Sequence, residues 1–197
     1  MPAAIVTALR AARRRRVAVD LDGQPWRALP LEAVVRAGLA VGCELDRSRA
    51  RALGRELRRL RALEAATGAL RHRDLSRRDV EARLERRGVP AAARAEALAA
   101  LGGAGLVDDE RYARARAEHL ARRGYGDGYI EHDLASKGVS SELVAAAIGV
   151  LEPEPQRAAG LGPGRDAQAT IRRLSRRGFA PESLERLSAQ GPWTEIG

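Results

Sequence analysis

Three stretches of this chain align without gaps: "RRDVEARLERRGVP", "GDGYIEHDLASKGVS" and "DAQATIRRLSRRGFA". Each places a leucine four residues before a glycine: Leu84 before Gly88, Leu134 before Gly138, Leu174 before Gly178. A basic residue precedes each glycine, and an apolar one follows it: Val89, Val139 and Phe179. The pattern has a local physical meaning. The leucine faces a core, and the glycine ends the helix in the left-handed conformation at no steric cost. The apolar residue after it then folds back on the last turn, as in a Schellman motif. Any three capped helices share some of this, but the basic predecessor and the apolar follower together mark a true repeat. A short helix pair cannot bury its apolar face alone, so such units stack in tandem.

The remaining helices follow from the same periodicity. Leu53, Leu57, Leu60 and Leu63 form one face of a long helix after Asp46. Ser76 is a good N-cap, with Asp79 three residues on. Further helices are expected over 91–101, in "DDERYARARAEHLARR", and in "SSELVAAAIGVL" up to Pro153. "EPEPQRAAGLGPGR" is rich in Pro and Gly and reads as a loop or a weakened helix. "PESLERLSAQ" is the last helix.

Residues 17–45 break this pattern. Val17, Val19 and Leu21 alternate, Asp22-Gly23 follows, and a second run passes Trp26 and Leu29. That is a hairpin signal. "LEAVVRAG" is a short helix, and "LAVGCEL" is read as a third short strand. The expected organisation is therefore a basic N-terminal tail (1–16), a small α/β cap (17–45), helical repeats at 46–105, 106–151 and 152–190, the last shortened, and a tail at 191–197. The fold class is mainly α, with tandem three-helix repeats in an elongated curved body carrying the N-terminal cap. The thin core of the cap should lean on the helix that follows it.

Composition narrows the function. Aromatic residues are only 3% of the chain, so the core must be aliphatic, which suits packed helices. Thirty-five basic residues face 26 acidic ones, a net charge of +9 that attracts polyanions. Lys137 is the only lysine, a sign of GC-rich coding, so the choice of arginine carries little information while the net charge does. Cys43 is the only cysteine, which excludes an internal disulfide and a multi-cysteine zinc site. No apolar run approaches the roughly 20 residues that span a bilayer. The start of the chain has its basic cluster after the short apolar run, the reverse of a secretory signal. The expectation is a cytoplasmic monomer with no membrane segment, no metal and no cofactor.

Candidate reactive groups are few. Asp108, Asp109 and Glu110 sit at a helix start, where carboxylates cap free N–H groups and favour the dipole. A two-metal nuclease would need further converging acids. His72, His119 and His132 lack the i, i+4 spacing of a zinc helix. Tyr112, Tyr125 and Tyr129 are either stacking platforms for bases or packing between helices. "RRGYGDGYI" resembles a phosphate loop, but it follows a helix and lacks the Gly-Lys-Ser/Thr of a Walker loop. It reads as a helix–helix joint.

"GLVDDERYARA", "RRGYGDGYIEHDLASKGV" and "RRLSRRGF" resemble the regulatory protein RecX family of bacteria. The likeness spans about residues 17–190 and is most specific in the middle repeat. It implies tandem three-helix repeats and a modulator of the RecA recombinase, usually an inhibitor, that binds in the groove of the RecA–DNA filament. The third repeat departs from the family pattern, since Pro153, Pro155, Gly162, Pro163 and Gly164 interrupt its first helix.

The candidate contact residues are the basic ones. Residues 46–95 hold fifteen arginines and seven acids. Arg77, Arg78, Arg86 and Arg87 flank one helix; Arg122 and Arg123 end another; Lys137 precedes Gly138; Arg172, Arg173, Arg176 and Arg177 recur on the third repeat. They are either a solvated face or a contact surface for an acidic filament groove or for DNA phosphates, the latter weak and indifferent to sequence. Two other readings remain: a sequence-specific helix-turn-helix DNA binder, and a metal-dependent nuclease built on Asp108 and Asp109.

Overall fold

The computed structural model describes residues 3–161 and 166–190. The chain divides into two compact units. Unit 1 is residues 1–73 with 80–104, and unit 2 is residues 74–79 with 105–197.

Unit 1 opens with an antiparallel sheet of β1 (Ala4–Ala12), β2 (Arg16–Leu21), β3 (Gln24–Pro30) and β4 (Glu44–Leu45), in the order β3-β2-β1-β4. The expected hairpin turns at Asp22 and Gly23, both with positive φ (48° and 79°), the backbone that Asp-Gly supplies most readily. The Asp22 carboxylate accepts from the Ile5 N–H at 2.8 Å, which ties the turn to β1. Residues 4–12 correct the expectation of a tail. They pair along β2 from Val6↔Leu21 to Ala12↔Arg16, and Val6 is fully buried. The four arginines at 13–16 are thus the turn and strand start of a hairpin. The third strand is shorter than "LAVGCEL" suggested. Gly42 turns the chain at φ 86°, leaving two residues, Glu44 and Leu45, to pair with β1.

Helix α1 (Leu31–Arg36) covers the sheet and α2 (Arg47–Leu70) follows, its first turn capped by Asp46. The core joins Val6, Val17, Val19, Leu29, Ala33, Val34 and Leu39 to Leu53 of α2, so the cap does lean on the long helix. Helices α3 (Arg77–Arg86) and α4 (Ala91–Gly103) complete the first helical group, with Asp79 and Val80 on opposite sides of the division.

In unit 2, α5 (Asp109–Arg122), α6 (Asp127–Ser136) and α7 (Ser141–Gly149) enclose Ala113, Ala117, Leu120, Ile130, Leu134, Val139 and Val144. Helices α8 (Glu154–Gly160), α9 (Ala167–Arg176) and α10 (Pro181–Gln190) pack around Ala158, Leu174, Phe179 and Leu184. The Pro/Gly-rich segment therefore does form a helix, a short one. Pro155 stands in its first turn, where a missing N–H costs nothing. Gly162, Pro163 and Gly164, and the expected tail at 191–197, lie outside the described residues.

The repeat motif folds alike three times. Gly88, Gly138 and Gly178 have φ of 70°, 74° and 82°. The next residue donates to the carbonyl of the repeat leucine: Val89 to Leu84 at 3.1 Å, Val139 to Leu134 at 3.3 Å, Phe179 to Leu174 at 3.2 Å. This is the Schellman bond that the sequence spacing predicts.

Candidate binding surface

The middle helix of each repeat, α3, α6 or α9, carries most of the predicted contact residues. Two places in unit 2 bring them together, and both have the same plan. The first turn of one middle helix meets the last turn of the next, and an acid from a third helix seals the contact.

At the first junction, the buried Ser76 hydroxyl donates to the Lys137 carbonyl at 2.8 Å and accepts from the Asp79 N–H at 3.1 Å. The Arg77 N–H donates to Asp109 Oδ1 at 2.7 Å. The Arg78 stem crosses Gly138, where an added Cβ would meet Arg78 Cδ at 2.6 Å. Lys137 Nζ lies 3.9 Å from Asp79 Oδ2. Arg77, Arg78 and Lys137 thus share one place, and the Arg77 guanidinium has no partner among the described residues.

At the second junction, the N–H groups of Gly126 and Gly128 donate to the carbonyls of Arg177 and Gly178, at 2.8 and 3.0 Å. The Asp127 N–H donates to Glu154 Oε1 at 2.7 Å. Glu154, 7% exposed, also accepts from the Ala180 N–H at 3.0 Å and the Ser183 hydroxyl at 2.6 Å. Arg157 donates to the Tyr125 carbonyl at 3.0 Å and to the Asp127 carboxylate. Burial pushes the Asp127 carboxyl above its usual range despite that arginine.

Next to this junction, Tyr125 and Tyr129 stack with ring centroids 4.1 Å apart. The Arg123 and Arg177 guanidiniums lie 5.8 and 5.6 Å from the Tyr125 ring, within cation–π range. Arg177 also donates to the carbonyls of Arg123 and Gly124. So the tyrosines pack on each other, with two guanidiniums gathered at the Tyr125 ring. Arg122 pairs with Glu118 at 3.5 Å, one turn earlier on α5. Between α5 and α6, Arg116 donates to both oxygens of Asp133 at 2.8 Å and holds that carboxyl below its usual range.

The other predicted residues stand apart. Arg172 lies 3.9 Å from Asp166, whereas the exposed Arg173 and Arg176 have no side-chain partner among the described residues. Arg86 and Arg87 belong to unit 1 and line a cleft of about 260 Å³ with Ala65, Ala66 and Ala69. Asp108, Asp109 and Glu110 diverge to different partners: the Arg111 N–H, the Arg77 N–H and the Arg114 guanidinium.

Sequence reasoning missed Glu154 and Arg157, the two charged residues that organise the second junction. The available signal was positional. Asp109 and Glu154 both sit in the first turn of the first helix of their repeats.

A family model described as "RecX, second three-helix domain" matches residues 108–148. The regulatory protein RecX of Stenotrophomonas maltophilia (strain R551-3) is 32% identical over 141 residues, covering 66% of this chain and 86% of that protein. The regulatory protein RecX of Xanthomonas campestris pv. campestris (strain B100) is 31% identical over 99 residues, covering 50% of this chain and 61% of that one. A crystal structure titled as regulatory protein RecX has a similar fold, with a TM-score of 0.81, 21% identity, and coverage of 95% of this chain and 100% of its own. The crystal structure of RecX from Lactobacillus salivarius aligns with a TM-score of 0.61 and 17% identity, over 68% of this chain and 96% of its own.

Proposed function

The chain belongs to the regulatory protein RecX family, and on that premise we propose that it binds the RecA–DNA filament and restrains it. Binding in the filament groove limits filament growth, and ATP hydrolysis and strand exchange fall as a consequence. The protein acts in the cytoplasm, as a monomer, in recombination, DNA repair and the SOS response. It acts by binding, without catalysis. The observation that carries the reading is the likeness over the middle repeat and most of the chain to regulatory proteins named RecX.

The arrangement of charges supports it. Arg77, Arg173 and Arg176 have no side-chain partner among the described residues, and Arg78, Arg86, Arg87, Arg122, Arg123 and Arg172 are also solvent-exposed. Free guanidiniums suit the phosphates and carboxylates of a nucleoprotein groove. Asp108, Asp109 and Glu110 are spent on a cap, an inter-helix bond and an ion pair, which favours binding over metal-assisted cleavage.

Co-sedimentation with RecA filaments on single-stranded DNA tests the reading. The chain should pellet with the filament, and less so as salt rises. Failure to pellet at any ratio, together with sequence-dependent gel shifts on free duplex, would favour the helix-turn-helix alternative.

A further inference from the structure

Arg13, Arg14, Arg15 and Arg16 link β1 to β2 and lie outside the surface described above. Arg14 and Arg15 both hold the left-handed conformation, with φ of 59° and 55°. A residue with a Cβ is strained in this conformation, which Asn-Gly would largely avoid. The other hairpin of the same sheet uses Asp22-Gly23 at its turn. The arginines are therefore poor turn formers, and what they supply is charge.

That charge is held ready. The Arg15 carbonyl accepts from the Leu31 N–H at 2.9 Å, which fixes the turn against the start of α1. The exposed Arg13, Arg14 and Arg15 side chains have no partner among the described residues, while Arg16 donates to the Ala28 carbonyl at 2.6 Å. Arg14 and Arg15 line a cleft of about 600 Å³ together with Pro30, Leu31, Val35 and Leu60. Leu31 is 45% exposed and Val35 66%, one turn apart on α1. The one acid lining the cleft, Glu32, is engaged by Arg59 at 2.9 Å.

We propose that this hairpin and the cleft at its foot bind single-stranded nucleic acid. The guanidiniums of Arg14 and Arg15 take backbone phosphates, and a base or sugar lies over Leu31 and Val35. Arginine is the side chain best shaped for phosphate oxygens. The exposed aliphatic lining selects the strand form, because a duplex turns its bases inward and would leave Leu31 and Val35 wet. This binding needs no recombinase, so it goes beyond the filament reading and fails or stands separately from it.

The test is fluorescence anisotropy of a labelled thirty-nucleotide oligo-dT, without RecA, over a salt series, with the full chain. Arg14→Asn/Arg15→Gly removes two charges and relieves the turn, so its melting temperature should be no lower than that of the parent. Its affinity near 0.1 M salt should fall about tenfold, and its log–log salt slope should flatten by about 1.4, two contacts at about 0.7 each. Arg14→Lys/Arg15→Lys should keep the slope. Val35→Ser should weaken binding about threefold with the slope unchanged, since apolar contact is not screened by salt. An unchanged slope and affinity in Arg14→Asn/Arg15→Gly would overturn the proposal. So would equal affinity for duplex DNA, no effect of Val35→Ser, or displacement of the oligonucleotide by polyglutamate at matched charge, which would assign the cleft to an acidic peptide.

Discussion

At the first turn of α3 the chain meets the last turn of α6 through side chains; at the first turn of α6 it meets the last turn of α9 backbone to backbone. In both, a helix N-terminus faces a helix C-terminus, so opposite partial charges meet. An acid accepts the same N–H in each: Asp109 from Arg77, Glu154 from Asp127. The materials differ. The first junction uses the Ser76 hydroxyl and the stem of Arg78, and a side chain can move. The second uses Gly126 and Gly128 against Gly178, and a backbone cannot. The second should therefore be much less tolerant of change, although its first helix, α8, has only seven residues.

Gly126→Ala is the sharpest way to break that contrast. Its Cβ would lie 2.4 Å from the Gly178 carbonyl carbon and oxygen and from the Phe179 nitrogen. We expect a loss of about 3 kcal/mol in urea unfolding, the upper end for overpacking. A loss below about 1 kcal/mol would remove the distinction between the junctions. Glu154→Ala should cost a similar or slightly smaller amount, about 2–3 kcal/mol, because it strands three donors at a buried site. Glu154→Gln, which keeps an acceptor, should recover part of that loss.

Gly138→Ala is the matching change at the first junction. It meets the Arg78 side chain (Cδ at 2.6 Å, Cβ at 3.0 Å) rather than backbone, so the expected cost is mainly the left-handed conformation, about 1–2 kcal/mol. Adding Arg78→Ala should then cost almost nothing more, which a double-mutant comparison reads directly. The smallest effect belongs to Asp133→Asn. The carboxyl of Asp133 is held low by Arg116, so its stabilisation is complete above the ordinary carboxylate pKa of about 3.9 and is lost as pH falls through the lowered folded value. Acid titration of stability should show that loss in the parent chain and not in the variant, with less than about 1 kcal/mol between them at neutral pH.

What could be seen from the sequence was whatever is encoded locally. The Leu-to-Gly spacing carries its own cap, so the Schellman bonds at Gly88, Gly138 and Gly178 follow from neighbouring residues. Asp22-Gly23 announces its hairpin for the same reason. Strand β1 was hidden because "AIVTALRAA" is rich in alanine, and only Val6 is fully buried there. The short α8 was obscured by prolines, whose placement at a helix start is harmless. Chain order groups the basic residues one way and folding sorts them another: Arg123 with Arg177 around Tyr125, and Arg78 with Lys137 beside Gly138. Glu154 was invisible because its partners, Asp127, Ala180 and Ser183, are 26 to 29 residues away. No local pattern encodes a bond of that range.

RecA-driven strand exchange reads the proposed restraint of RecA most directly. Added at far fewer copies than RecA, the chain should slow exchange and lower the accompanying ATP hydrolysis, and Gly126→Ala should be a weaker inhibitor wherever it is partly unfolded. Unchanged exchange and hydrolysis at every ratio up to equimolar would contradict the account.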